Sequence, residues 1–222
     1  MNIRMRVLQA SCCLLATLCV SSCMTTRQVT SLADLQQTLD SLSPRVVLID
    51  GFPVLAQPTP YTCGITTAAA VSSFFNQTNR SAVDLIAEYD VATNHGATVE
   101  QLRGWLSAEL PSHTTTFFRN ESNVRMIRRV HESLRKGKPV VVVFGSPSPY
   151  AGGLYDFHFS SVYGMDLIKA TVTISNAYGY SEEVTLVDFL NRMSFSEVQK
   201  YPPALQDVIR RGMDKNQILI VN

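Results

Sequence analysis

Beyond its first two dozen residues the chain has a single cysteine, Cys63. No disulfide can therefore staple the body, and its stability has to come from an apolar core. Charge of one sign is not in excess either, with 19 basic residues against 18 acidic ones. That balance removes the field that nucleic acid would answer to, so no nucleic-acid partner is expected. Close ligand pairs of the CxxC or HxxxH kind are missing, as is a glycine-rich loop after a strand, so neither a metal nor a nucleotide cofactor is expected. No apolar run reaches the roughly 20 residues that a membrane-spanning helix needs. What the chain does have is 45% hydrophobic residues over 222 positions, enough for one well-filled domain plus a leader.

The leader is read from the first residues. Arg4 and Arg6 precede a mostly apolar stretch, Val7 to Val20, and the small residues Ser21 and Ser22 lead to Cys23. A basic start, a short apolar segment and small residues at the cut describe a cleavable signal peptide. Val20-Ser21-Ser22-Cys23 resembles the lipobox of bacterial lipoproteins, which implies that Cys23 is acylated and becomes the first residue of an exported, membrane-anchored protein. With Met24 rather than Asp next, the resemblance implies the outer membrane. The expected organisation is 1–22 as lipoprotein signal peptide, 23–44 as lipidated tether and short helix, and 45–222 as one folded domain. In that mature form Cys63 is the one remaining thiol, a liability in an oxidising compartment unless it is buried or used.

Leu32, Leu35, Leu39 and Leu42 have helical spacing before Pro44, and Arg45 to Ile49 reads as a strand. An alanine-rich helix is expected to start near Cys63, a second after Ser81, and a third behind the Thr98/Gln101 capping box. A strand at His113 to Phe118 and a basic helix from Ser122 to Lys136 follow. Val140 to Phe144, Phe157 to Tyr163 and Thr171 to Ser175 read as strands of an antiparallel sheet. Val184 to Met193 and Ala204 to Arg211 read as helices and Ile218 to Val221 as a closing strand. Helices first and sheet second predict an α+β domain.

A thiol at a helix start beside a histidine is expected to have a lowered pKa, and Cys63 is so placed. Gly64 would let a substrate carbonyl approach the backbone amides there. Gln57, in a segment stiffened by Pro58 and Pro60, offers a side-chain amide for an oxyanion. Of the four histidines, His158 lies inside an apolar strand, and Asn176 at the end of the next strand is placed to orient its imidazole. His95 and His113 read as loop or strand-start residues, and His131 as lying on the polar side of its helix. Ser146 to Gly153 reads as a long loop leading to His158, either one that shapes a cleft or a plain surface loop.

The order Gln, Cys-Gly, His, Asn resembles the papain-like cysteine peptidases, and most of all the bacterial double-glycine, bacteriocin-leader-processing-like peptidase domains. Gln57-Pro58-Thr59-Pro60-Tyr61-Thr62-Cys63-Gly64, Gly137-Lys138-Pro139-Val140-Val141-Val142 and His158 to Gly164 carry the likeness, which runs from Gln57 to about Asn191. Where those domains usually carry Asp-Pro, this chain has Asn176-Ala177-Tyr178-Gly179. The resemblance implies a helical half, with the nucleophile at a helix start, packed on a C-terminal antiparallel sheet. It implies a lipid-anchored thiol protease acting on a peptide or protein substrate, with Cys63 as nucleophile, His158 as base, Asn176 as orienter and Gln57 as oxyanion donor. The same four residues also suit transfer of the acyl group to an amine, or a binding scaffold that no longer turns over.

Overall fold

The structure is a computed structural model that describes residues 32–222. The expected signal peptide and the lipidation residue Cys23 lie outside the described residues. The chain begins with α1 (Leu32–Ser41), whose Leu35 and Leu39 pack on the core. After β1 (Val46–Leu48) come three helices, α2 (Cys63–Asn76), α3 (Ala82–Glu88) and α4 (Val99–Glu109). Every residue from Cys63 to Ser73 is buried, which its alanines and glycine permit by letting α3, α4 and the sheet approach from several sides. Ser81 and Thr98 each accept a hydrogen bond from the backbone three residues on, closing capping boxes with Asp84 and Gln101.

The second half is a sheet interrupted by helices: β2 (Thr115–Phe118), α5 (Asn123–Arg135), β3 (Val140–Pro147), β4 (Tyr155–Asp166), β5 (Thr171–Asn176), β6 (Tyr180–Thr185), α6 (Leu186–Ser194), a 3₁₀ turn (Val198–Lys200), α7 (Pro203–Arg210) and β7 (Gln217–Val221). The strand order is β2-β7-β3-β4-β5-β6, with every pairing antiparallel. β1 pairs with Gly164 to Asp166 at the far end of β4. β3 is central and apolar, and Val140, Val141 and Val142 are fully buried, as a strand covered on both faces requires. The fold is the expected α+β one, with helices in the N-terminal half and an antiparallel sheet in the C-terminal half.

Three local expectations are corrected. The stretch from Ser146 to Gly153 is not one long loop, because Ser146 and Pro147 continue β3 and pair with Asp156 and Tyr155; only a tight tip remains, closed by the Ser148 amide on the Leu154 carbonyl at 2.9 Å. Val184 belongs to β6 rather than to a helix, which starts after Thr185 caps it through the Asp188 amide. Tyr180-Ser-Glu-Glu shows no apolar alternation because β6 is an edge strand, where charge blocks pairing with other chains. His131 is buried, its Nε2 donating to the Pro44 carbonyl at 2.8 Å. α1 packs across that side of α5 and turns its polar stripe into a second interface.

Candidate active site

Cys63 opens α2. The preceding Thr62 does not cap the helix with its side chain; its Oγ1 instead accepts from the Thr59 amide at 3.1 Å and tightens the turn that delivers the thiol. Gly64 has a packing reason that the sequence does not show, since a β-carbon there would lie 2.8 Å from that of Ala97. The side chain it lacks makes room for the segment before α4. Cys63 forms part of the wall of a cleft of about 420 Å³ that Asp156, His158 and Tyr178 also line.

His158 sits on β4, the strand against which α2 packs. It is buried, and its Nε2 is 3.0 Å from Asn176 Oδ1. An amide oxygen only accepts, so Nε2 carries the proton and the lone pair of the neutral ring is on Nδ1. Tyr178 stacks on the imidazole, ring centroids 4.0 Å apart and planes 24° from parallel. This lid keeps water from the bond between the imidazole and the amide.

Asn176 is fully buried and its orientation is determined by its partners. Oδ1 accepts from His158 and from the Tyr178 amide at 3.1 Å, while Nδ2 donates to Glu182 Oε2 at 2.9 Å. A flipped amide would oppose N–H to N–H and oxygen to carboxylate. Glu182 is held in turn by Arg192 at 2.7 Å, and Arg192 by Asp188 at 2.7 Å. The chain His158–Asn176–Glu182–Arg192–Asp188 thus links the imidazole to α6.

The turn after Asn176 closes through the Gly179 amide on the Asn176 carbonyl at 2.9 Å. Gly179 has φ +97, and a β-carbon would come within 2.7 Å of that of Ala56, so only glycine fits. That close approach brings in Gln57, whose backbone N–H donates to the Ala177 carbonyl at 2.7 Å. The Gln57 side chain is buried and neither Nε2 nor Oε1 has a partner among the described residues. A buried amide without a partner is costly, and it suits a group that makes its hydrogen bond to a ligand. Its side chain makes no hydrogen bond to Cys63, His158 or Asn176.

The electrostatics correct the expectation of a lowered thiol pKa. Burial pushes Cys63 up to about 11, against backbone hydrogen bonds involving Phe159, Gly64 and its own amide, and Asp156 raises it further. Burial pulls His158 down to about 3, with the Asn176 bond opposing. Both shifts have one cause, the cost of charge in a site closed to water. Before substrate binds, the pair is a neutral thiol and a neutral imidazole, ready for transfer of a proton during attack rather than before it.

Sequence reasoning nominated Gln57, Cys63, His158 and Asn176, and passed over Tyr178, Asp156, Ser148, Glu182 and Arg192. The aromatic two residues past Asn176 was a legible signal, since a tight turn there returns it over the imidazole. Glu182 was not, because β6 itself was missed. Of the other histidines, His95 bonds to Asn94 and His113 lies against Phe75.

A family model described as Peptidase_C39 like family matches residues 49–201. No curated protein matches the chain.

Proposed function

The chain belongs to the Peptidase_C39 like family and carries a papain-like cysteine-peptidase-like domain, and from that premise we propose that it is a hydrolase that cleaves a peptide or amide bond through a thioester on Cys63. The observation that carries this reading is the oriented pair of His158 and Asn176 at 3.0 Å, with the imidazole lining the same cleft as the thiol. As the substrate carbonyl enters, His158 Nδ1 takes the thiol proton and the sulfur adds to the carbonyl carbon. The amides at the start of α2 and the Gln57 side chain stabilise the oxyanion. The carbon–nitrogen bond then breaks, the leaving amine takes the proton from His158, and Sγ keeps the acyl group. Water, giving its proton to the imidazole, attacks the thioester; the thiol recovers that proton and the acid departs.

We place the enzyme in the cell envelope, anchored through lipid on Cys23, with a peptide or protein as substrate. Its tether would join α1, which packs on α5, while β1 lies at the Asp166 end of β4. The cleft is towards the other end of that strand, about 25 Å away at about 3.3 Å per residue.

The test is labelling of the purified protein with a peptide bearing a thiol-reactive electrophile, beside hydrolysis of a peptide library. Cys63→Ala should abolish both, and His158→Ala should lower turnover by about 10³-fold or more. Turnover retained by Cys63→Ala would sink the assignment.

A further inference from the structure

Among the residues that line the cleft, Asp156 is the one with a formal charge at neutral pH, since His158 is held neutral. It lies two residues before His158 on β4 and so shares its face of the strand. The carboxylate takes part in none of the ion pairs formed among the described residues. Burial raises its pKa, and the neighbouring Ser148 side chain opposes that rise. A half-buried carboxylate without a counter-ion is destabilised by lost hydration.

The same charge acts against chemistry at Cys63. It opposes formation of the thiolate and, by Coulomb's law, any oxyanion formed on the attached carbonyl carbon. A cleft made only for neutral substrates gains nothing from it. A cation supplied by the substrate removes both penalties at once, because it pairs with the carboxylate and cancels its field at the sulfur.

We propose that Asp156 is a specificity-determining residue that receives a cationic side chain, so that the cleft selects peptides with lysine or arginine next to the scissile bond. This rests on the hydrolase reading of Cys63. Phe157, Val143, Leu205 and Met213 also line the cavity and give it apolar surface on which an aliphatic stem can lie. The competing role for Asp156 is structural, as a tie for the hairpin tip beside Ser148, which neighbours Tyr178 as well.

Two measurements on the full chain separate these roles. The first is the rate of modification of Cys63, read by mass spectrometry, with 2-aminoethyl, methyl and 2-sulfonatoethyl methanethiosulfonates, each normalised to its rate with a small free thiol. Asp156 should favour the cationic reagent over the neutral one by about tenfold and disfavour the anionic one by a similar factor. Asp156→Asn should bring all three ratios to within about twofold. Ser148→Ala keeps the charge and should keep the ratios; their loss in that variant, or equal ratios in wild type and Asp156→Asn, overturns the proposal.

The second is kcat/KM on peptides with Lys, Gln or Glu at the positions flanking the cleaved bond. Wild type should prefer Lys over Gln by about tenfold or more, and Asp156→Asn should not. Hydrolysis without that preference overturns the proposal and leaves the hydrolase standing. Charge-dependent labelling with no hydrolysis of any peptide overturns the hydrolase reading and leaves Asp156 as the cation-receiving group of a binding cleft.

Discussion

Cys63 stands where two effects compete. The start of α2 offers it amide hydrogen bonds that favour a thiolate, and the packing that creates those bonds removes the water a thiolate needs. Burial wins, and the thiol is pushed up to about 11. A preformed thiolate–imidazolium pair would require both desolvation costs to be met before substrate arrives, and His158, pulled down to about 3, does not accept the proton at that stage. The rate of Cys63 alkylation by iodoacetamide, a neutral reagent, should therefore rise about tenfold per pH unit from pH 6 to 9 with no plateau, as the thiolate fraction grows. A plateau beginning below pH 7 would show the ion pair instead. At this scale the proposed site was legible by residue type, because the roles proposed for Gln57, Cys63, His158 and Asn176 each need a particular side chain. Their protonation was not, since desolvation depends on what closes over them, and Tyr178 does so from a turn whose path is set by the contact of Gly179 with Ala56.

The elements that hold the imidazole are β5, β6 and α6, and only the first of them was fully legible. β5 alternates apolar residues and ends on Asn176. β6 reads as polar chain, because an exposed edge strand is under no demand for apolar side chains on either face. Yet β6 supplies Glu182, and α6 supplies the buried Arg192 that fixes it at 2.7 Å. Glu182 acts on His158 only through Asn176, so its removal should alter the chemical step more than binding. In Glu182→Gln the Asn176 amide loses its charged acceptor and Arg192 keeps Asp188 as its one carboxylate. We expect kcat to fall by about tenfold with KM within a factor of two, and stability to fall by about 1–3 kcal/mol. Steady-state kinetics on the folded variant checks this, and Glu182→Asp should recover part of kcat if the carboxylate is what matters. Loss of stability with an unchanged kcat would make the chain from Asn176 to α6 a purely structural one.

Over the whole molecule, the same burial that silences the site ties folding to pH. His158 has a folded pKa depressed from 6.5 to about 3, so its contribution to stability is complete above pH 6.5 and is lost as pH falls through 3. Cys63 is raised from 9.0 to about 11, so its contribution is complete below pH 9 and is lost as pH rises through 11. Between these limits lies a plateau, about pH 6.5 to 9, in which a neutral base and a neutral thiol both favour the folded state. Below the plateau the unfolded chain binds one more proton than the folded one at this histidine, which gives a slope of about 1.4 kcal/mol per pH unit. His158→Gln keeps a neutral side chain that can still meet Asn176 and has no proton to gain, so the difference between wild type and variant isolates that slope. Asp84 and Asp214, lowered by their hydrogen bonds, and Asp156, raised by burial, are common to both proteins and cancel in the difference. Urea unfolding from pH 7 down to 4.5 should show the wild type losing its advantage over His158→Gln by about 1.4 kcal/mol for each unit below 6.5. A constant difference across that range would mean that His158 titrates alike in the folded and unfolded chain, and that the cleft is far wetter than its packing against Tyr178 indicates.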